Sequence, residues 1–230
     1  MESNVTKDTE NPTAGDMGLQ SRLRLVVLGA TGGTGLQLVK QALGRGHLVT
    51  AFVRSPAPLK EFEHRIDIRQ GDLLNSASSR EVIQGHDAVL SGFGPRAPRS
   101  EADSNLLARF ARALTTAMPP AGVRRVVVES VAFLFKNSIF PPAYLLGRLF
   151  LPRTVADASA MERIFAHTAL DWTMVRPPEL TDKPYTGKYH LREGHLPVFG
   201  LKISRADVAD LMIKLAENHA SIRKVVGIAN

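Results

Sequence analysis

The stretch Gly29-Ala30-Thr31-Gly32-Gly33-Thr34-Gly35 decides how this chain folds. It follows an apolar run, Leu23 to Leu28, and opens an amphipathic segment, Gln37 to Leu43, so it predicts a strand, a glycine turn and a helix. In its G-x-x-G-x-x-G spacing, the first glycine allows the tight turn, the second lets backbone approach a pyrophosphate, and the third lets the helix pack against the strand. Because the N–H groups and the dipole at a helix start favour an anion, the loop predicts a dinucleotide site.

A second strand follows this helix and supports that interpretation over an ordinary glycine-rich turn. Gly44 and Gly46 end the helix, and His47 to Val53 is apolar and β-prone. The strand ends at Val53-Arg54-Ser55, without a carboxylate that would accept from ribose hydroxyls. Arg54 and the Ser55 hydroxyl are suited to clamp a 2′-phosphate, which favours NADP over NAD. The alternative for Arg54 is a solvated surface arginine.

The rest of the chain continues the alternation of strands and helices. We therefore predict an α/β fold: a Rossmann-type, doubly wound parallel sheet with helices on both faces, forming a single domain over residues 22–230 with a small C-terminal substrate region. Residues 186–200 are predicted to be a loop. Further strands are expected at 66–69, 87–91, 125–128, 172–175 and 225–228, and helices at 79–84, 102–118, 157–167 and 208–216.

Composition narrows the function classes. The chain has no cysteine, which excludes disulfides, thiolate metal sites and cysteine nucleophiles and is compatible with the cytoplasm. Its seven histidines form no metal-binding pattern, so no metal is expected. The net charge is +7, but its Lys and Arg residues are scattered, which argues against nucleic acid as a partner. Residues 1–21 are polar and lack the apolar core of a secretory signal, and we expect a disordered tail there.

Several motifs together carry a family resemblance. They are the glycine loop, Val53-Arg54, Gly71-Asp72-Leu73, Ser130-Val131-Ala132-Phe133-Leu134 and Asp171-Trp172-Thr173-Met174-Val175-Arg176-Pro177-Pro178. From about Leu23 onward the chain resembles the atypical short-chain dehydrogenase/reductase family. Within that family it is most similar to NAD(P)H-binding proteins of the biliverdin reductase B and flavin reductase type, with NmrA-like regulators as relatives.

The resemblance implies roles for residues at the strand ends. Asp72 and Leu73 would sit beside the adenine, the segment Gly92-Phe93-Gly94 would line the ribose and diphosphate, and Ser130 would lie near the nicotinamide. An Asp can accept from an adenine amino group, and glycines permit close backbone approach. The alternatives are an Asp that forms a turn and glycines that merely end a strand.

Catalytic residues are where the chain departs from the family pattern. The Tyr-x-x-x-Lys pair of the family would fall at Tyr144, but Arg148 replaces the lysine, so Tyr144 either donates a proton or packs in a lid or interface. The serine and histidine of the flavin-reductase pattern align with Val131 and Glu179. Glu179 could act as an acid if burial raised its pKa; otherwise it is a solvated loop residue.

Hydride transfer to a conjugated acceptor depends mainly on stacking, and water can supply the proton. We therefore predict an NADPH-dependent reductase of a small planar acceptor such as a flavin (FMN included), a quinone or a tetrapyrrole. Phe93, Phe133 and Phe135 either form the stacking platform or belong to the core. The apolar segment 134–152 would act as a cover or a subunit contact, in a monomer or dimer with no membrane partner. The alternative function is a non-catalytic NAD(P) sensor of the NmrA type that reports to a protein partner.

Overall fold

A computed structural model describes residues 22–94, 105–135, 152–197, 200–218 and 221–230. The predicted tail 1–21 and most of segment 134–152 lie outside these ranges. The strands are β1 (Arg24–Leu28), β2 (Leu48–Val53), β3 (Asp67–Gln70), β4 (Ala88–Ser91), β5 (Arg125–Glu129), β6 (Asp171–Arg176), β7 (Glu179–Thr181), β8 (His190–Glu193), β9 (Lys202–Ser204) and β10 (Lys224–Ala229). The α-helices are α1 (Gly33–Gly44), α2 (Ser76–Ile83), α3 (Leu106–Ala117), α4 (Pro152–Ala166) and α5 (Arg205–Glu217).

The main sheet has the order β3-β2-β1-β4-β5-β6-β10-β8. Its first seven strands are parallel, and the order reverses between β1 and β4, as in a Rossmann-type fold. The predicted fold class is confirmed, but the sheet is not wholly parallel, because β8 pairs antiparallel with β10. Strand β8 lies inside the segment predicted to be a loop, and β7 and β9 form a separate two-stranded parallel sheet.

Strand β1 shows why helices cover both faces of the sheet. Leu25 and Val27 pack in one apolar cluster with residues of α1 and α5, whereas Val26 and Leu28 pack in another with residues of α3 and α4. Successive side chains of a strand point to opposite faces, so a continuous apolar run buries both. The carboxyl ends of β1, β2, β4 and β5 therefore open at one edge between two helical layers, where ligands of such sheets bind.

Helix boundaries agree with the predictions to within a few residues. Helix α1 begins at Gly33, four residues before the predicted amphipathic stretch, and α4, described from Pro152 to Ala166, covers all but the last residue of the predicted helix 157–167. The predicted start of α3, at Ala102, lies outside the described residues. No helix in the described part of the chain is long and apolar enough to cross a membrane.

Candidate functional site

The glycine loop joins β1 to α1 by close backbone contacts. Gly29 has φ +74°, and a Cβ there would lie 2.8 Å from the backbone N and Cα of Phe93. The Gly32 amide donates to the Gly29 carbonyl at 2.8 Å, which closes the turn. A Cβ on Gly35 would overlap that same carbonyl oxygen. The first and last glycines thus have the roles predicted for them, a left-handed turn and close helix packing.

Helix α1 begins without help from side chains. Gly32 occupies the N-cap position in an extended conformation, no side chain caps the helix, and its first turn holds no acidic residue. By contrast, the Asn75 side chain accepts from Ala77 and Ser78 at the start of α2, and Ser204 caps α5. The first amide groups of a helix need acceptors, and the positive dipole end favours an anion. Glycine-lined backbone at this point fits a phosphate group.

A carboxyl group lies just behind this helix start. Glu129 ends β5, and its Oε1 accepts from the Thr34 hydroxyl at 3.2 Å. A Cβ on Gly92 would lie 3.5 Å from the other oxygen, so glycine leaves room for the carboxyl. Burial raises the pKa of Glu129 to about 7, against the lowering effects of the Thr34 hydrogen bond and the nearby Arg205 charge. Glu129 can therefore exchange a proton near neutral pH.

Arg54 and Ser55 follow β2 and are both exposed. The Arg54 carbonyl accepts from the Gln70 side chain at 3.1 Å, which joins the ends of β2 and β3. This placement at the carboxyl edge leaves the predicted phosphate clamp and the solvated arginine both open.

Asp72 forms a turn, which was the alternative to the adenine role. Its Oδ1 accepts from the Leu74 amide at 2.9 Å, and its carbonyl accepts from Asn75. Its side chain is nevertheless exposed at the same edge, whereas Leu73 is buried in the core. An Asx turn engages one carboxylate oxygen only, so the two roles are compatible.

The segment after β4 contacts the glycine loop directly. The Gly92 amide donates to the Leu28 carbonyl at 3.1 Å, and the ring of the partly buried Phe93 contacts the Phe110 ring in a tilted arrangement, with centroids 4.9 Å apart. Gly94 is exposed. The structure thus brings Gly92 and Phe93 against the loop, as expected, while Phe93 also packs with the core.

Ser130 belongs to a polar network that the sequence did not indicate. Its hydroxyl donates to Glu162 of α4 at 2.5 Å, and the same carboxylate is paired with the Arg176 guanidinium, whose Nε donates at 2.9 Å. The guanidinium carbon lies 4.6 Å from the ring centroid of Phe135. With its proton directed at Glu162, the Ser130 oxygen can accept a hydrogen bond but is not arranged to donate one to another group.

The other two catalytic candidates do not join this network. Glu179 begins β7 with an exposed side chain paired with Lys202 at 3.2 Å, so the burial required for an acid role is absent. Tyr144 lies outside the described residues. His190, expected in a loop, is an exposed residue of β8.

Sequence reasoning missed Glu129, Glu162 and Arg205. Little in the sequence indicated either glutamate. Glu129 directly precedes the motif that begins at Ser130, and Glu162 lies on the predicted helix 157–167. Arg205 starts α5, and its side chain lies against Gly33 of α1. No group of potential metal ligands occurs among the described residues.

A family model described as NAD(P)H-binding matches residues 29–219, beginning at the first glycine of the loop. The chain belongs to this NAD(P)H-binding family. An uncharacterized chloroplastic protein of Arabidopsis thaliana is 29% identical over 214 residues, which are 89% of this chain and 76% of that protein. The family match confirms the NAD(P)H-binding family inferred from the glycine loop and the later motifs.

Solved structures share the fold at lower identity. A short-chain dehydrogenases/reductase from Veillonella parvula in complex with NADP has a TM-score of 0.76 and 17% identity, over 90% of this chain and 94% of that chain. The anaerobilin reductase ChuY from Escherichia coli O157:H7 has a TM-score of 0.72 and 19% identity, over 90% and 96%. Both agree with the resemblance to the atypical short-chain dehydrogenase/reductase fold.

Proposed function

We propose that this protein is an NADPH-dependent reductase that delivers hydride to a small planar acceptor such as a flavin, a quinone or a tetrapyrrole. The observation that carries the proposal is the loop from Gly29 to Gly35. It leaves the start of α1 without a side-chain cap, and it lies where the NAD(P)H-binding family model begins. Bound NADPH would supply the hydride, and the residues of this chain hold and orient the reactants.

The binding residues follow from the geometry of the carboxyl edge. The backbone of residues 29–35, with the Thr31 and Thr34 side chains, would hold the diphosphate, and Gly92 to Gly94 would line the ribose next to it. Arg54 and Ser55 would hold the 2′-phosphate, and Asp72 and Leu73 the adenine. A guanidinium matches a phosphate in charge and shape, which supports NADP over NAD.

The acceptor side is supported by Ser130 and its neighbours. The Ser130 hydroxyl donates its hydrogen bond to Glu162, so its oxygen would be left to accept from an N–H or O–H group of a planar acceptor. The Glu162–Arg176 pair is nearly buried, with side chains 12% and 13% exposed, and it holds this end of β6 in place. Neither Ser130 nor Glu179 is arranged as a dedicated acid, so the proton after hydride transfer would come from water or from Glu129, whose pKa burial raises to about 7.

The lack of a dedicated acid at Ser130 and Glu179 also favours a second function, a non-catalytic NAD(P) sensor. With Ser130 donating to Glu162 and Glu179 exposed, the chain is also suited to bind NAD(P) without turnover and report its occupancy to a protein partner. The two functions share the nucleotide site and differ only in whether an acceptor is reduced.

One experiment tests both functions. Purified protein is titrated calorimetrically with NADPH and NADH, and NADPH oxidation is followed by absorbance with a panel of flavins, quinones and tetrapyrroles. If the protein is a reductase, we expect NADPH binding and saturable turnover of at least one acceptor. Gly35→Val, in which the side chain disrupts the binding loop, is the negative control. Binding without turnover across the panel would favour the sensor, and absence of binding would overturn both.

A further inference from the structure

Arg205 occupies the space that a side chain at Gly33 would fill. Gly33 is the first residue of α1, and a Cβ there would lie 2.7 Å from the Arg205 Nε. The guanidinium stem therefore lies directly on the helix start where phosphate binding is expected. A glycine inside the first turn of a helix is otherwise unfavourable compared with alanine. The close contact with Arg205 explains why glycine stands there.

The charge of Arg205 is available at this position. Its Nη1 pairs with Asp182 at 2.7 Å, but the Asp182 side chain is 88% exposed, against 28% for Arg205. Exposed ion pairs contribute little free energy, so a phosphate can replace this carboxylate at small cost. Arg205 also acts on the interior, because its charge is among the effects that lower the pKa of Glu129. The Arg205 cation therefore lies near both the first residue of α1 and the Glu129 carboxyl.

We propose that Arg205 is a diphosphate-contacting residue of the dinucleotide site, which adds one side-chain cation to a loop otherwise built from backbone amides. This inference rests on the nucleotide site of the proposed function. Arg205 contacts the part that NADPH and NADH share, whereas Arg54 contacts the 2′-phosphate that only NADPH carries.

The first test is calorimetric titration of Arg205→Gln with NADPH and with NADH. Charge-assisted hydrogen bonds are worth about 1.5–3 kcal/mol, so we expect both dissociation constants to rise by about 10- to 100-fold. The salt dependence of binding should become shallower, because one screened cation is lost. Arg205→Lys should recover part of the affinity. Arg80→Gln, in the last turn of α2, removes the same charge elsewhere and should leave both constants unchanged.

A second test separates phosphate contact from a structural role of Arg205. Gly33→Ala should displace the guanidinium without removing it, and so weaken NADPH and NADH binding in the wild-type background. In an Arg205→Ala background, which removes both the Cδ and the Nε that a Cβ on Gly33 would meet, Gly33→Ala should have little effect on binding and should not destabilise the helix. Thermal unfolding of each variant establishes that it is folded.

The outcomes distinguish the inference from the proposed function. If the wild-type protein binds both nucleotides and Arg205→Gln binds them equally well, only the Arg205 inference fails. If Arg205→Gln weakens binding but the salt dependence is unchanged, and if Gly33→Ala and Arg205→Ala have additive effects on binding, the contact is structural and the inference is overturned. If the wild-type protein binds neither nucleotide, the proposed function fails and this inference fails with it.

Discussion

The two ends of α1 are built in opposite ways. At its C-terminal end, Arg45 pairs with Asp210 and Glu217 of α5, and Glu217 also accepts from His47 at 2.8 Å. At its N-terminal end, beside Gly32 and Gly33, no side chain caps the helix. Charged groups thus close the C-terminal end within the protein, whereas at the N-terminal end the first amide groups have no side-chain cap, although Arg205 lies against Gly33.

This difference separates a structural region from a binding region. The C-terminal cluster is complete because each buried charge has an opposite charge or a hydrogen-bonding partner, as buried ions require. In the proposed function, the nucleotide phosphate would complete the N-terminal end, since helix amides need acceptors. Substitutions at the C-terminal end should therefore change folding alone, and substitutions at the N-terminal end should change binding.

The largest effect is expected from Gly35→Ala. Its Cβ would overlap the Gly29 carbonyl oxygen, so the turn and the helix must move apart. We expect a loss of about 3 kcal/mol in the free energy of unfolding, at the upper end of overpacking effects, and no measurable NADPH binding. Gly44→Ala is the matched control, because a Cβ there meets nothing within 4 Å at the other end of the same helix.

Urea unfolding and calorimetric titration of both glycine variants measure these effects. The control should gain about 0.5–1 kcal/mol in stability, as alanine does over glycine in helices, and keep its NADPH affinity. Equal behaviour of the two variants would contradict the assigned packing of the loop.

Asp210→Ala should destabilise the C-terminal end. This carboxylate is 2% exposed and accepts from Arg45, from Tyr189 at 2.5 Å and from Lys214 at 2.9 Å. Because the partners are partly exposed and can reach water, we expect a loss of about 2 kcal/mol, below the range for fully buried pairs. Asp67→Ala removes the exposed partner of Arg69 and should cost at most about 0.5 kcal/mol.

The NADPH affinity of the Asp210→Ala variant tests whether the C-terminal end of α1 affects nucleotide binding. Both aspartate variants should keep the wild-type dissociation constant for NADPH, measured well below the melting temperature. A large loss of affinity in Asp210→Ala would show that the two ends of α1 are not independent.

Glu129→Gln tests the acid behind the N-terminal end. The folded state keeps the Glu129 proton up to a pKa of about 7, while the ordinary pKa is 4.5. Between these values the unfolded state binds fewer protons, so stability falls as pH rises. Glutamine keeps an acceptor for Thr34 and removes this loss. With allowance for partial exposure, the variant should be more stable by about 1–2 kcal/mol at about pH 8 and unchanged at about pH 4.

The free energy of unfolding in urea, measured across this pH range, is the test. Glu61→Gln replaces an exposed carboxylate and should leave the wild-type pH profile in place. A variant Glu129→Gln with the wild-type profile would show that Glu129 keeps an ordinary pKa.

Sequence patterns predicted the parts of this molecule that depend on neighbours along the chain. Apolar runs located the strands of the parallel sheet, and glycine spacing located the turn at Gly29 and the packing at Gly35. Strands β7 and β9 were missed because they have three residues each, too few to show a period, and β8 was missed because its four residues are all exposed. A short exposed strand carries little pattern, since the period depends on burial.

Residues whose role depends on distant partners could not be predicted in the same way. Glu162 is defined by Ser130 and Arg176, and Arg205 by its contact with Gly33 at the other end of the chain. Glu179 shows the reverse error: its position after two prolines was matched to a catalytic histidine, but it pairs with Lys202 at the surface. Only the fold determines which of these side chains meet.

The smallest effect is expected at Arg54, at the outer part of the N-terminal region. Its exposed guanidinium would contact only the 2′-phosphate, in water, so Arg54→Gln should weaken NADPH binding by about 5- to 10-fold, or about 1 kcal/mol, and leave NADH binding unchanged. Arg65→Gln, which replaces another exposed arginine near the sheet, controls for the loss of charge.

Arg54→Asp should go further and reverse the preference for NADPH over NADH, because a carboxylate repels the 2′-phosphate and accepts from ribose hydroxyls. Calorimetric titration of each variant with both nucleotides measures the ratio of affinities. An unchanged ratio in Arg54→Asp would show that specificity between NADP and NAD resides elsewhere, while the backbone site at α1 would still bind the diphosphate that both share.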